Sequence, residues 1–143
     1  MDWKIEQEWI VMRYFRKYFP EFPKGRLRKS ESPDFQLWVS PKKFIGIELT
    51  QIQPAQHPDP VPGFLDVRFA IDQLRSTIRA KEEKIGIYRK QKPDLLWLVI
   101  FADYSETNAI DRILLLIGRE SLSSGFDRIF LFDVDQHKTS SIK

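Results

Sequence analysis

Two carboxylates, Asp34 and Glu48, set the chemical question in this sequence. Glu48 sits inside Ile45-Gly46-Ile47-Glu48-Leu49-Thr50, a run with strand alternation whose other side must pack in a core. An ionised carboxylate in such surroundings is costly without a cation. Asp34 opens the neighbouring alternating run, Asp34-Phe35-Gln36-Leu37-Trp38-Val39. Both acids fall on the polar side of their own alternation, so a hairpin can carry them to one edge of a sheet. Two hard oxygen ligands completed by water suit Mg2+ or Mn2+. The plain structural alternative is that Asp34 caps a turn after Pro33 while Glu48 pairs with a surface lysine.

Two further charges face inward on helices. At about 100° per residue, Glu8 lies about 60° from Ile5, within the arc of Trp9, Met12 and Phe15, whereas Glu6 points outward. Lys81 lies three residues after Ile78 and four before Ile85, inside the arc of Leu74, Ile78 and Ile85; Lys84 lies at the margin of that arc. A lone lysine on an apolar stripe commonly snorkels, its stem packed and its ammonium in water. Opposite charges turned inward from two helices, beside a hairpin that already presents two acids, are more simply explained by one shared polar site.

The elements that must position these groups can be read from periodicity. Apolar steps of three and four at Ile5, Trp9, Met12, Phe15 and Phe19 predict a helix over 3–19, ended by Pro20 and Pro23. Residues 34–39 and 44–52 alternate as strands around a turn at Ser40-Pro41-Lys42-Lys43, and a further short strand is expected around 25–28. Four prolines, at 54, 58, 60 and 62, make 53–63 a stiff loop, either a lid or a connector. A helix is expected over 66–89, with Ile71, Leu74, Ile78, Ile85 and Tyr88 on one stripe, broken by Pro93. Leu95 to Phe101 is almost wholly apolar, as in a central strand covered on both faces. A Leu-rich helix over 108–121, a turn at Ser124-Gly125 and a last strand over 128–134 follow, with 136–143 left as a flexible polar tail.

Composition bounds the rest. A chain of 143 residues can bury the core of one domain, expected here over 1–143. The absence of cysteine excludes disulfides, a thiol nucleophile and thiolate zinc sites. The longest apolar run, Leu95 to Ala102, is too short to cross a bilayer, and the charged N-terminus does not resemble a signal peptide, so no membrane partner and a cytoplasmic location are expected. The net charge is only +3, yet seven basic residues fall between Arg13 and Lys29 with Glu21 as the sole acid. That cluster either faces phosphate or forms a solvated helix end and loop.

Ser32-Pro33-Asp34-Phe35 followed by Gly46-Ile47-Glu48-Leu49-Thr50 resembles the PD-(D/E)XK nuclease, or restriction-endonuclease-like, superfamily. The likeness spans Glu8 to Phe101. It implies an α/β fold with a restriction-endonuclease-like core in αβββαβ order, a central mixed sheet flanked by helices, extended here by a C-terminal helix and strand. It departs at one point, because Thr50 stands where the family carries a lysine two residues after the Glu. Some branches of the superfamily move that lysine to the following helix, which makes Lys81 the candidate and Lys84 the reserve. By this likeness Asp34, Glu48 and the Leu49 carbonyl hold Mg2+ or Mn2+, Glu8 completes the site directly or through water, and Lys81 orients the attacking water or stabilises developing charge. Arg26, Arg28, Lys29, Gln51 and Lys84 are candidates for holding the substrate, and Thr50 for bonding a ligand water.

The activity implied is metal-dependent hydrolysis of phosphodiester bonds, in DNA for preference. Cutting both strands of a duplex with one such site per chain calls for a homodimer. Two other readings compete: a nuclease fold that has lost catalysis and binds nucleic acid or a protein through 13–29, and a small subunit pairing through a strand edge or the helix at Ile113 to Ile117. His57 and His137 have no partners at metal-ligand spacing. Trp38 can stack on a base or cover a strand edge.

Overall fold

The protein, a computed structural model, is described over residues 3–52, 67–102 and 124–143. Helix α1 (Trp3–Tyr18) buries Glu8, Val11, Met12 and Phe15, while Ile5 at its start stays exposed. Strands β1 (Arg26–Lys29), β2 (Phe35–Ser40) and β3 (Lys43–Gln51) follow as an antiparallel meander. Helices α2 (Val67–Glu82) and α3 (Ile85–Tyr88) and a 3-10 turn at Arg89–Gln91 lead to β4 (Leu95–Ala102). Strands β5 (Arg128–Asp133) and β6 (Lys138–Ser141) complete a mixed sheet in the order β1-β2-β3-β4-β5-β6, with β3, β4 and β5 parallel and both margins antiparallel.

Strand periodicity divides the sheet into two faces. Odd-numbered residues of β2, β3 and β4, among them Phe35, Leu37, Ile45, Ile47, Leu49, Trp97 and Val99, pack with Phe130 and Phe132 of β5 under Val11, Met12 and Phe15 of α1. Even-numbered Leu96, Leu98 and Ile100 of β4 pack with Ile129 and Leu131 of β5 under Ile71, Leu74 and Ile78 of α2 and Tyr88 of α3. Strand β4 is thus covered on both faces, as its unbroken apolar run requires. Aspartates start the parallel strands: Phe44 N–H donates to Asp94 Oδ2 at 2.9 Å and Leu96 N–H to Asp127 Oδ2 at 2.7 Å, pairing backbone that has no strand partner there.

Two expectations are corrected. The helix anticipated over 66–89 is broken after Glu82, and the chain re-enters a short helix at Ile85 that contains Gly86, a poor helix former. The break turns Tyr88 into the sheet on its own helix. The tail expected to fray after Asp135 instead pairs with β5 as β6, Phe132 opposite Thr139 and Phe130 opposite Ser141. Its turn is set by Asp133, 2% exposed, whose Oδ1 accepts from the N–H groups of Asp135 and Gln136. The proline-rich loop over 53–63, His57 and the helix expected over 108–121 lie outside the described residues.

Candidate functional site

The β2–β3 register brings the two acids together. Phe35 pairs with Ile47, so the next step of the antiparallel ladder sets Asp34 opposite Glu48. Asp34 N–H donates to Glu48 Oε1 at 3.1 Å, and Leu49 N–H donates to Asp34 Oδ2 at 2.9 Å. A strand residue's N–H and C=O leave the backbone toward the same neighbour, so the Leu49 carbonyl emerges on the side of Asp34. Gly46 makes room for this turn: a Cβ there would stand 2.8 Å from Pro33 Cγ and 3.2 Å from Leu96 Cδ1.

Both oxygens of Glu48, a residue 5% exposed, are engaged. Besides the backbone contact on Oε1, Oε2 accepts from Lys81 Nζ and from the Tyr88 hydroxyl, each at 2.8 Å. Lys81, near the end of α2, is thereby brought to the acidic pair. Lys84 is exposed at the break before α3 and does not reach the acids. On the other side, Lys29 Nζ lies 2.9 Å from Glu8 Oε2 and 3.9 Å from Asp34 Oδ1, and donates to the carbonyls of Ser30 and Asp34. The charges form a row: Glu8, Lys29, Asp34, Glu48, Lys81.

Burial first, then the charge of Glu48 and the hydrogen bond shared with it, push the Asp34 carboxyl up to about 7; the Leu49 N–H pulls it down and Glu8 adds a smaller push. Burial and the same Glu48 carboxylate also raise the Tyr88 phenol, which stays protonated and remains a donor. Two adjacent carboxylates largely withdrawn from water are the arrangement a divalent cation relieves. Asp34, Glu48 and the Leu49 carbonyl offer oxygen donors only, the ligand chemistry that Mg2+ and Mn2+ prefer. Among the described residues no group of three or more His, Cys, Asp or Glu side chains is placed to hold a metal ion, and Glu8 is paired with Lys29. Water would have to supply the remaining positions.

The other candidates separate. Lys29, expected to meet substrate, is turned inward to neutralise Glu8. Gln51 ends β3 in the row of Ile45, Ile47 and Leu49 and leaves the sheet on the face opposite Glu48. Thr50 shares the Glu48 face, half-buried. Arg26 and Arg28 are exposed along β1. Tyr88 is the participant that sequence reasoning left on an apolar stripe. A tyrosine among Ile and Leu carries a hydroxyl that needs a partner when buried, and that is the signal pointing to a polar group beneath it.

Among the described residues no helix is long and apolar enough to cross a membrane. Compared with family models, with curated proteins and with solved structures, the chain finds no match.

Proposed function

We propose that the chain is a metal-dependent nuclease of the PD-(D/E)XK kind that hydrolyses phosphodiester bonds in DNA. The observation that carries this reading is the adjacency of Asp34 and Glu48 on neighbouring strands, with the Lys81 ammonium seated on Glu48. The run of elements from α1 through three strands and a helix to β4 supports it, being the αβββαβ order of that superfamily's core.

Asp34, Glu48 and the Leu49 carbonyl would hold Mg2+ or Mn2+, which when bound lowers the pKa of a water and neutralises charge on the phosphate. Lys81 is fixed by Glu48 at the edge of this site, where a preorganised ammonium can orient the nucleophile and offset charge developing on phosphate oxygens. Tyr88 locks the Glu48 carboxylate in one orientation. Lys29 compensates Glu8 and contributes a second positive group beside Asp34.

The competing reading, a nuclease fold that binds nucleic acid without cutting it, draws on the same ion pair, because Lys81 occupies an oxygen that a metal would otherwise take. Digestion of plasmid, linear and single-stranded DNA with Mg2+, Mn2+ or EDTA separates the two. A nuclease cuts only with metal and loses cutting, though not folding, in Asp34→Ala. Binding that is indifferent to metal and to Asp34→Ala, with no cleavage of any substrate, favours the other reading.

A further inference from the structure

The sheet face that bears Asp34 and Glu48 continues toward the β1 edge as Gln36 and Trp38 of β2, with Arg28 opposite Gln36 and Arg26 opposite Trp38. The apolar cluster beneath α2 includes no residue of β1 or β2, and among the described residues this end of the face is met only by Gln91 of the 3-10 turn, at Gln36 and Ser30. Around the β1 edge lies an open cavity of about 920 Å³ lined by Arg26, Arg28, Trp38 and Ser40 of this face and by Leu27 and Val39 of the other. Arg26 and Arg28 are exposed and make no ion pair among the described residues.

The indole in this groove is held rigidly. Trp38 lies against Phe44, ring centroids 4.7 Å apart, and its N–H donates to Gln36 Oε1 at 3.1 Å. Gln36 donates in turn to Gln91 Oε1 on the 3-10 turn, which also accepts from the Ser30 hydroxyl. An aromatic surface fixed in advance loses little freedom when something stacks on it. A cationic groove containing a fixed aromatic ring is the recognition chemistry of unstacked bases, because the bases of a duplex cover one another's faces. Same-face residues of a strand are about 6.8 Å apart, so Trp38 lies about 14 Å along β2 from Asp34. The hydrogen-bonded trio Ser30, Gln36 and Gln91 lies between them on this face, so a chain lying on Trp38 and the arginines reaches the carboxylates past that trio.

We propose that this groove holds single-stranded nucleic acid, with one base stacked on Trp38 and flanking phosphates on Arg26 and Arg28, so that the site acts on single strands. The direction of the chain toward the carboxylates rests on the nuclease reading; the binding itself does not.

Fluorescence anisotropy in EDTA tests it, with short fluorescein-labelled oligodeoxythymidylate, oligouridylate and a DNA duplex of the same length as probes. One or both single strands bind more tightly than the duplex. Trp38→Leu weakens single-strand binding about tenfold or more, as expected for loss of one base stack, and Trp38→Phe restores most of it. Arg26→Gln with Arg28→Gln lowers the salt slope by about 1.4. Because Trp38 also packs on Phe44, the tryptophan emission of the wild-type protein is followed as well: oligothymidylate quenches it, and the quench disappears in Trp38→Phe. Equal affinity for the duplex, or single-strand binding and emission indifferent to residue 38, overturns the proposal. Metal-dependent cutting of plasmid with that indifference sinks the groove and leaves the nuclease reading. Trp38-dependent binding without cutting on any substrate does the reverse.

Discussion

Lys81 Nζ and Glu48 Oε2 meet at 2.8 Å across 33 residues of chain, the lysine coming from a helix and the glutamate from the strand beneath it. Glu48 is thereby anchored to both layers of the fold at the point where Asp34 arrives. Every prediction concerning the acidic pair depends on that contact.

Lys81→Ala removes the ammonium and leaves Glu48 with the Tyr88 hydroxyl and a backbone N–H. Stability falls by about 1–3 kcal/mol, the cost of leaving a buried polar group short of a partner, and cleavage falls about 10²- to 10³-fold, as when one charge-stabilising donor is lost. Lys84→Ala changes neither appreciably, because its side chain is exposed at the break between α2 and α3. Urea melts and plasmid digestion of the two variants, side by side, check this.

Asp34 gives the metal-free protein an unusual pH profile. Its carboxyl is pushed from 3.8 in an exposed setting to about 7 in the folded chain. Between those values the folded state holds a proton that the unfolded state has released. Its contribution is therefore full below the lower value and declines as pH rises through the upper one, by up to ~1.4 kcal/mol per pH unit. Urea unfolding in EDTA should show lower stability at neutral pH than near pH 5 from this group, and Asp34→Asn should flatten the slope. Mn2+ or Mg2+, binding the ionised pair, stabilises the neutral-pH protein by linkage.

Lys29 and Glu8 form a second buried partnership, with side chains 24% and 9% exposed. Lys29→Met strands Glu8 and costs about 3–5 kcal/mol, and Glu8→Gln added to it recovers much of the loss. A double-mutant cycle on thermal stability measures that coupling. Simple additivity of the two substitutions would show that the ion pair is not what holds Glu8 in place.

Gly46→Ala reaches the site through packing. The new methyl meets Pro33 Cγ at 2.8 Å, Leu96 Cδ1 at 3.2 Å and Pro93 Cβ at 3.4 Å. Proline rings cannot rotate away as a flexible side chain can, so the residue preceding Asp34 must shift. Overpacking of this kind costs about 1–3 kcal/mol. Metal affinity, read by calorimetry with Mn2+, weakens along with stability, whereas Gly86→Ala, with open space around it, leaves affinity unchanged.

The sequence was most legible where one period ran unopposed. α1, the β2–β3 hairpin and β4 follow from spacings of three and four, alternation, and a continuous apolar run, and the hairpin alone is enough to pair Asp34 with Glu48. Facing on a helix singled out Lys81 over Lys84 for the same reason. Less could be read where a partner far along the chain decides. The four residues of β1 are too few for alternation to fix their faces, so Lys29 looked like part of a surface cluster. Lys-Thr-Ser-Ser in β6 has no apolar pattern, and its strand conformation comes from pairing with β5. The helix break before Ile85 hid Tyr88, which reaches Glu48 across 40 residues.

The pocket is built from one local pairing and two distant ones. Asp34 and Glu48 are 14 residues apart and aligned by a local turn, while the groups that answer Glu48 from above arrive 33 and 40 residues later. In the finished fold the hairpin supplies the two acids, and only α2 and α3 supply the ammonium and the hydroxyl that answer Glu48. Loosening of that helical layer alone would leave a buried carboxylate short of two donors, so local opening above the sheet is coupled to the charge of the pocket.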